Sequence, residues 1–452
     1  VDEAVTTTSG PVAGRRRDGV REFLGIPYAA DPVGPLRFAL PRPPEPWDTP
    51  LPAGSPGPAA PQAPSRLESV MGRPGGTVAE RGCLTVNVWA PEDGTDLPVL
   101  FWIHGGATVS GSGGWEWYRG ARLAAENGIV VVTMNYRLGA LGFLYPAELT
   151  DRLGPGNLGL HDVALALEWT AANVAAFGGA PDAITVGGQS AGAQLAGLLA
   201  ATERTRPLVR RVLLQSSAPE TQMPTADEAT EAARQYFAAL GADPADADAV
   251  RALEATEFVD AYRRMPPSGG LLMPLGITRT SEVPWPDLRT AFAEAVSPEV
   301  DLLIGVTSDE AHAFRYPRRA DAAPWTRAAD DLTETLFRAP AQRLAEDRAA
   351  IGHPAYGYEF AWRAGEIGAA HGIDLPFLFG TFDAWADAPM LGDADRAGLR
   401  PLAAAFGGAV AEFVRSGRPS HPALPLWPAG GSVLRVDTTS AVQDGWAWKP
   451  SI

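Results

Sequence analysis

Six runs in this chain are apolar almost without interruption: "LPVLFWI" (97–103), "GIVVVTMNY" (128–136), "AITVG" (183–187), "RVLLQ" (211–215), "DLLIGV" (301–306) and "YGYEFAW" (356–362). A strand with one wet face alternates apolar and polar residues; a strand that does not alternate is covered on both faces. Segments with helical spacing separate these runs, near 161–177, 191–203, 226–240, 247–264, 326–347 and 395–416. Strand and helix in alternation predict an α/β fold: a large, mostly parallel central sheet with helices on both faces.

The remaining segments fit around that sheet. "GPVAGRRRDGVREFLGIPYA" (10–29) reads as short strands turned at Asp18-Gly19, with Arg15–Arg17 as a solvated turn face. The Pro/Gly-rich stretch 41–64 reads as a surface loop, because strand-like "LTVNVWAP" (84–91) follows soon after. Helices between about 220 and 300, and again between 315 and 350, read as lid insertions within a single domain covering 1–452.

Charge and rare residues narrow the function. The formal net charge of −16 repels nucleic acid and acidic membranes. The expected partner is therefore a small molecule, neutral or cationic, with no nucleic acid and no membrane. The most apolar run, 97–103, is far shorter than the roughly 20 residues a bilayer core needs. With Cys83 alone, neither an intramolecular disulfide nor a thiolate zinc cluster is available. Lys449 is the sole lysine, which removes a Walker-type phosphate loop and a Schiff-base lysine. A cytoplasmic monomer is the expectation, with secretion left open should a leader have been removed before Val1.

The chemistry points to "AITVGGQSAGAQLAGLLA" (183–200). Gly188-Gln189-Ser190-Ala191-Gly192 fits G-x-S-x-G between a buried strand and a helix, a turn that exposes the serine above a sheet edge. The bland alternative is a Gly/Ser packing turn. A serine hydroxyl needs a base, and the chain has six histidines: His104, His161, His312, His353, His371 and His421. His371 sits in a glycine-flanked loop, and Asp309 and Glu310 follow the 301–306 strand. Pattern alone does not choose between the two carboxylates.

A longer set of segments resembles the type-B carboxylesterases, the cholinesterase-like branch of the α/β-hydrolases, with the bacterial p-nitrobenzyl esterases nearest in style. The likeness runs in order through "FLGIPYAADPVGPLRF" (23–38), "CLTVNVWAP" (83–91), "WIHGGATVSGS" (102–112), "NYRLGALGFL" (135–144), "GNLGLHDVALALEW" (156–169), "FGGAPDAITVGGQSAGA" (177–193), "LLQSSAP" (213–219), "GVTSDEAHAF" (305–314), "HGIDLPFLFG" (371–380) and "FVRSGRPS" (413–420). The resemblance implies a carboxylic ester hydrolase with Ser190 as nucleophile, Glu310 as acid and His371 as base. It implies an oxyanion hole of Gly106, Ala107 and Ala191, supporting places next to the triad for Gln189 and Ser216, and no metal or organic cofactor. Amide or carbamate hydrolysis on the same triad, or a silent binding module, are the alternatives.

Departures from the family pattern carry their own expectations. Gln189 stands where the family usually has Glu, removing a negative charge beside the base and retuning the pH profile. Ala107 replaces the commonest Gly and narrows the acyl side. Cys83 matches a half-cystine without its partner, so the loop across 62–82 lacks a staple and is expected to be a looser gate. Trp115 and Trp117 either line the gorge or cap the fold. Asp243, Asp246 and Asp248 read as a solvated helix flank rather than a calcium loop, lacking its glycine and glutamate.

Overall fold

The computed structural model describes residues 2–265, 275–316 and 322–446. Among the described residues, thirteen strands join in one sheet. The first seven are β1 (Asp2–Thr7), β2 (Gly10–Arg17), β3 (Val20–Pro27), β4 (Leu51–Pro52), β5 (Thr85–Pro91), β6 (Leu97–Ile103) and β7 (Val130–Met134). The rest are β8 (Gly179–Gln189), β9 (Arg211–Gln215), β10 (Asp301–Thr307), β11 (Tyr356–Phe360), β12 (Ser432–Val436) and β13 (Ala441–Asp444). Their order is β1-β2-β3-β5-β7-β6-β8-β9-β10-β11-β12-β13, with β4 beside β2. Every neighbouring pair from β7 to β12 is parallel, whereas β1, β2, β3, β5 and β13 form antiparallel flanks and the short β4 pairs with β2 in parallel.

The apolar runs are explained by two cores, one on each face. Val99, Phe101 and Ile103 of β6 enter one cluster with Val130, Val132, Val212, Leu214, Leu302 and Ile304. Leu100 and Trp102 enter the other with Val131, Leu213 and Leu303. The period of two is intact, but both sets of side chains are buried. Helices α1 (Leu158–Asn173) and α2 (Ala191–Ala201) cover the first face. α1 begins three residues before His161, and the side chain of the preceding Asn157 bonds Thr278 rather than the helix.

Three helices, α3 (Ala226–Leu240), α4 (Ala247–Ala252) and α5 (Ala255–Arg264), close over Phe38 and Leu141 through Tyr236, Val250 and Phe258, a third, smaller cluster. Next, α6 (Leu288–Glu294) packs Leu288 and Phe292 onto Gly197 of α2. Beyond β10 come α7 (Ala322–Leu332), a π-helical turn at Thr333–Arg338 and α8 (Ala339–Ala350). Parts of the two insertions, 266–274 and 317–321, lie outside the described residues.

On the second face lies α9 (Arg396–Ser416), long and apolar enough to cross a bilayer by length and composition alone. A search for unbroken apolar runs misses it, because Arg, Gly and Glu interrupt the pattern. Its Phe406, Val410 and Val414 are buried against the sheet, in the second cluster.

Local signals resolve as the chemistry demands. Asp18 and Gly19 both take positive φ, 54° and 79°, as a two-residue hairpin turn requires. Arg15, Arg16 and Arg17 pair with Glu22, Glu3 and Asp18 along a solvated edge. Asp246 caps α4 through Ala249 N, and Asp248 pairs with Arg152.

Candidate active site

Strand β8 ends at Gln189 and α2 begins at Ala191, so Ser190 alone makes the turn. Its φ of 59° and ψ of −125° are costly for a residue with a Cβ, on the order of 1–3 kcal/mol. The surroundings hold it there: Ser190 N–H donates to Gln215 O of β9 at 2.8 Å. The two flanking glycines are needed for close approach. A Cβ on Gly188 would stand 2.4 Å from the Gly192 carbonyl, and one on Gly192 would stand 2.1 Å from Ile103 O.

β10 supplies the acid. Glu310 is fully buried on the turn after that strand, and its Oε2 lies 2.5 Å from His371 Nδ1. Its Oε1 accepts from Thr307 N–H at 2.8 Å, and its carbonyl accepts from His371 N–H at 3.3 Å. Asp309 faces elsewhere: its carboxylate accepts from Ala369 N–H at 2.7 Å. Geometry thus separates the two carboxylates that pattern alone left equal. The imidazole is buried and flanked by the rings of Phe314 and Phe337, with centroids at 5.0 and 5.4 Å.

Three backbone amides near Ser190 are uncommitted. Among the described residues, the N–H groups of Gly106, Ala107 and Ala191 donate to no protein acceptor. Ala191 N–H is free because it opens a helix, whose first amides lack intrahelical acceptors. Gly106 (φ 114°), Ala107 (φ 54°) and Thr108 (φ 61°) are all left-handed, and a tight turn follows through Ser110 N–H to Gly106 O at 3.1 Å. Gly106 tolerates no side chain, since a Cβ would fall 1.9 Å from Ser110 O.

Gln189 lies beside the base: its amide Nε2 is 2.9 Å from His371 Nε2, in direct contact with the ring. No hydrogen bond joins Ser190 Oγ to His371 among the described residues. Ser216 is buried with φ 50° and bonds through its backbone to Gly305 O at 2.8 Å, but among the described residues its hydroxyl meets no hydrogen-bond partner, the three triad groups included.

Other residues near the site carry no motif. Asp374 is fully buried; desolvation first, then the Glu310 charge, push its carboxyl up to about 7. It accepts from Tyr358 Oη–H at 3.0 Å, which in turn accepts from Gln215 Nε2–H at 2.8 Å. The π-helical turn docks onto the acid loop: Thr333 Oγ1 accepts from Ala311 N–H at 3.0 Å, and Arg338 donates to Ser308 O at 2.9 Å. Only the closeness of Asp374 to His371 in sequence hinted at any of this; helical spacing gives no sign of a π-turn.

Loop 62–82 is tied without a disulfide. Gln62 exchanges two hydrogen bonds with Gly111, at 2.8 and 2.7 Å, and Met71 approaches Gly372 beside the base. Cys83 is free and buried. Trp117 stacks on Trp385 at 4.2 Å and donates to Ala384 O, so it caps the fold, with Trp115 edge-on against it. Side-chain atoms of Asp309, His312 and Asp330 lie within 4.8 Å of one another, with His312 Nε2 in contact with Asp330 Oδ1 at 3.0 Å.

Comparison with known proteins bears on the same elements. The model of the carboxylesterase family matches residues 1–324. A probable N-octanoylanthranilate hydrolase of Rhodococcus erythropolis is 37% identical over 94% of this chain and 95% of its own. Phenmedipham hydrolase of Pseudarthrobacter oxydans is 33% identical over 93% and 92%. Para-nitrobenzyl esterase of Bacillus subtilis is 33% identical over 94% and 92%. A solved PNB esterase superposes with a TM-score of 0.87 at 29% identity, covering 98% of this chain and 97% of that one. A Geobacillus stearothermophilus carboxylesterase gives 0.85 at 30% identity over 98% and 97%.

Proposed function

The chain belongs to the carboxylesterase family and hydrolyses carboxylic esters, and from that premise we propose that Ser190, His371 and Glu310 form its catalytic triad. The observation that carries this reading is the His371 Nδ1–Glu310 Oε2 contact of 2.5 Å at the sheet edge where Ser190 turns. His371 Nε2 takes the Ser190 proton as Oγ attacks the ester carbonyl, and Glu310 orients the ring and balances its charge. The amides of Gly106, Ala107 and Ala191 receive the oxyanion; removing one such donor typically costs about 3–4 kcal/mol in the transition state. The alcohol leaves with the proton from His371, and water then hydrolyses the acyl-enzyme. No step calls on a metal or an organic cofactor.

The substrates we propose are esters of moderate size. A second reading, amide or carbamate hydrolysis, has a specific support: one relative is named for an N-octanoyl compound, whose acyl group is held by nitrogen. The same serine and oxyanion donors serve either acyl link, since the leaving atom alone differs. The deciding experiment is p-nitrophenyl butyrate turnover by native protein and by Ser190→Ala. Loss of at least a thousandfold is expected; retained turnover in the folded variant removes Ser190 from its role. An anilide of the same acyl group, assayed in parallel, decides the second reading.

A further inference from the structure

The contact between Gln189 and His371 has a chemical meaning that an acidic residue at this position would not have. With Nδ1–H directed at Glu310, the ring keeps its only lone pair on Nε2, the atom that must receive the Ser190 proton. Gln189 Nε2 is a donor, and it lies 2.9 Å from that lone pair. A glutamate carboxylate has no hydrogen to give there. The side chain is also wedged: a Cβ on Gly105 would lie 2.6 Å from Gln189 Oε1 and 3.2 Å from Ser190 Cβ. One end of the amide therefore rests on the start of the oxyanion loop and the other on the base.

We propose that Gln189 is a positioning residue that holds the general base in reserve, its amide occupying the His371 Nε2 lone pair until the amide swings aside for Ser190. The inference rests on the triad reading given above. It assigns the residue two effects. The hydrogen bond fixes the ring with Nε2 unprotonated, and it competes with the Ser190 hydroxyl for the same acceptor. Reaction thus proceeds from the fraction of molecules in which the amide has moved away. Charged and titratable groups that face the ring are few: Glu310 on the β10 turn and Asp374 on the ring's own loop. Phe314 and Phe337 bring no charge from the other sides, and Gln189 and Ser190 are neutral. A change at 189 is therefore read against the same two carboxyl groups in native protein and variant, Asp374 titrating at about 7 in both.

The test is Gln189→Met, which keeps the length of the side chain and removes the donor, with Gln189→Glu beside it. Each is inactivated with phenylmethanesulfonyl fluoride, where Oγ displaces fluoride from sulfur and the hydroxyl proton passes to Nε2. Freed of competition, Gln189→Met should be labelled about three- to tenfold faster, the span of one ordinary hydrogen bond. The acidic limb of its kcat/KM profile should move to higher pH, because a bond donated to the neutral ring favours that form. In Gln189→Glu the limb should move further, through the added negative charge. A folded Gln189→Met labelled no faster than native protein, with its limb unmoved, overturns the proposal. Should Gln189→Met fail to fold, an unmoved limb in Gln189→Glu overturns it equally. Failure to label Ser190 in the native protein is a different outcome and strikes the triad reading instead.

Discussion

Side chains that look interchangeable in the sequence part company once their hydrogen bonds are counted. Asp309 and Glu310 are adjacent acids on one turn, yet only Glu310 reaches the imidazole, while Asp309 is spent on Ala369 N–H. Glu310→Gln should lower kcat by about four orders of magnitude, as when a triad acid becomes an amide and the ring takes the wrong tautomer. Asp309→Asn keeps an acceptor for Ala369 N–H and should cost less than tenfold. Steady-state kinetics on one ester check both, and equal losses would reverse the assignment of the acid. What reached this scale from the sequence was the choice of candidates: the serine and the histidine from motif and loop, the glutamate only from the family resemblance. What did not was contact. Gln189 was legible as a missing charge, but whether its amide lies behind the ring or on it depends on a side-chain rotamer wedged against Gly105.

Among the elements, legibility followed periodicity. The strands from 97–103 to 356–360 announced themselves because burial on both faces demands apolar residues at every position. The outer strands were silent for the converse reason. β1 is rich in Thr and acidic residues, and β13 is almost wholly exposed, so neither needs an apolar run. The π-turn at 333–338 was equally silent: it depends on which carbonyl each amide finds, and no residue type or motif marks it in the sequence. Yet it brings Arg338, with a side chain only 4% exposed, beneath the acid loop, between Glu334, Glu359 and Ser308 O. Arg338→Met should destabilise the protein by about 3–5 kcal/mol, because it strands buried or half-buried carboxylates. Loosening of the Ser308–Ala311 turn should also lower kcat while leaving KM nearly constant. Denaturant unfolding and kinetics below the melting range measure the two effects; a stability loss with kcat unchanged would confine the π-turn to a structural role.

For the whole molecule, the same buried chemistry that organises the site sets how stability responds to pH. The net charge of −16 makes the folded state repel itself more as pH rises, a diffuse effect spread over the surface. Asp374 adds a local one. Its carboxyl is raised to about 7 in the fold by burial and by Glu310, against about 4 in an unfolded chain. Between those values the folded state holds a proton that the unfolded chain has released. Folding therefore takes up a proton there, and this contribution is fully present below pH 4 and lost as pH rises through 7. A span of roughly three units corresponds to about 4 kcal/mol. Asp374→Asn imitates the neutral carboxyl at every pH and changes the net charge by one, so the diffuse effect largely cancels when the two proteins are compared. The difference in unfolding free energy, variant minus native, should rise between pH 4 and pH 8 and level off above. A flat difference would mean that Asp374 is charged in the fold throughout, with Tyr358 and Gln215 compensating it. The carboxyl would then be a fixed negative charge behind the triad, and the electrostatic setting of His371 would differ from the one derived above.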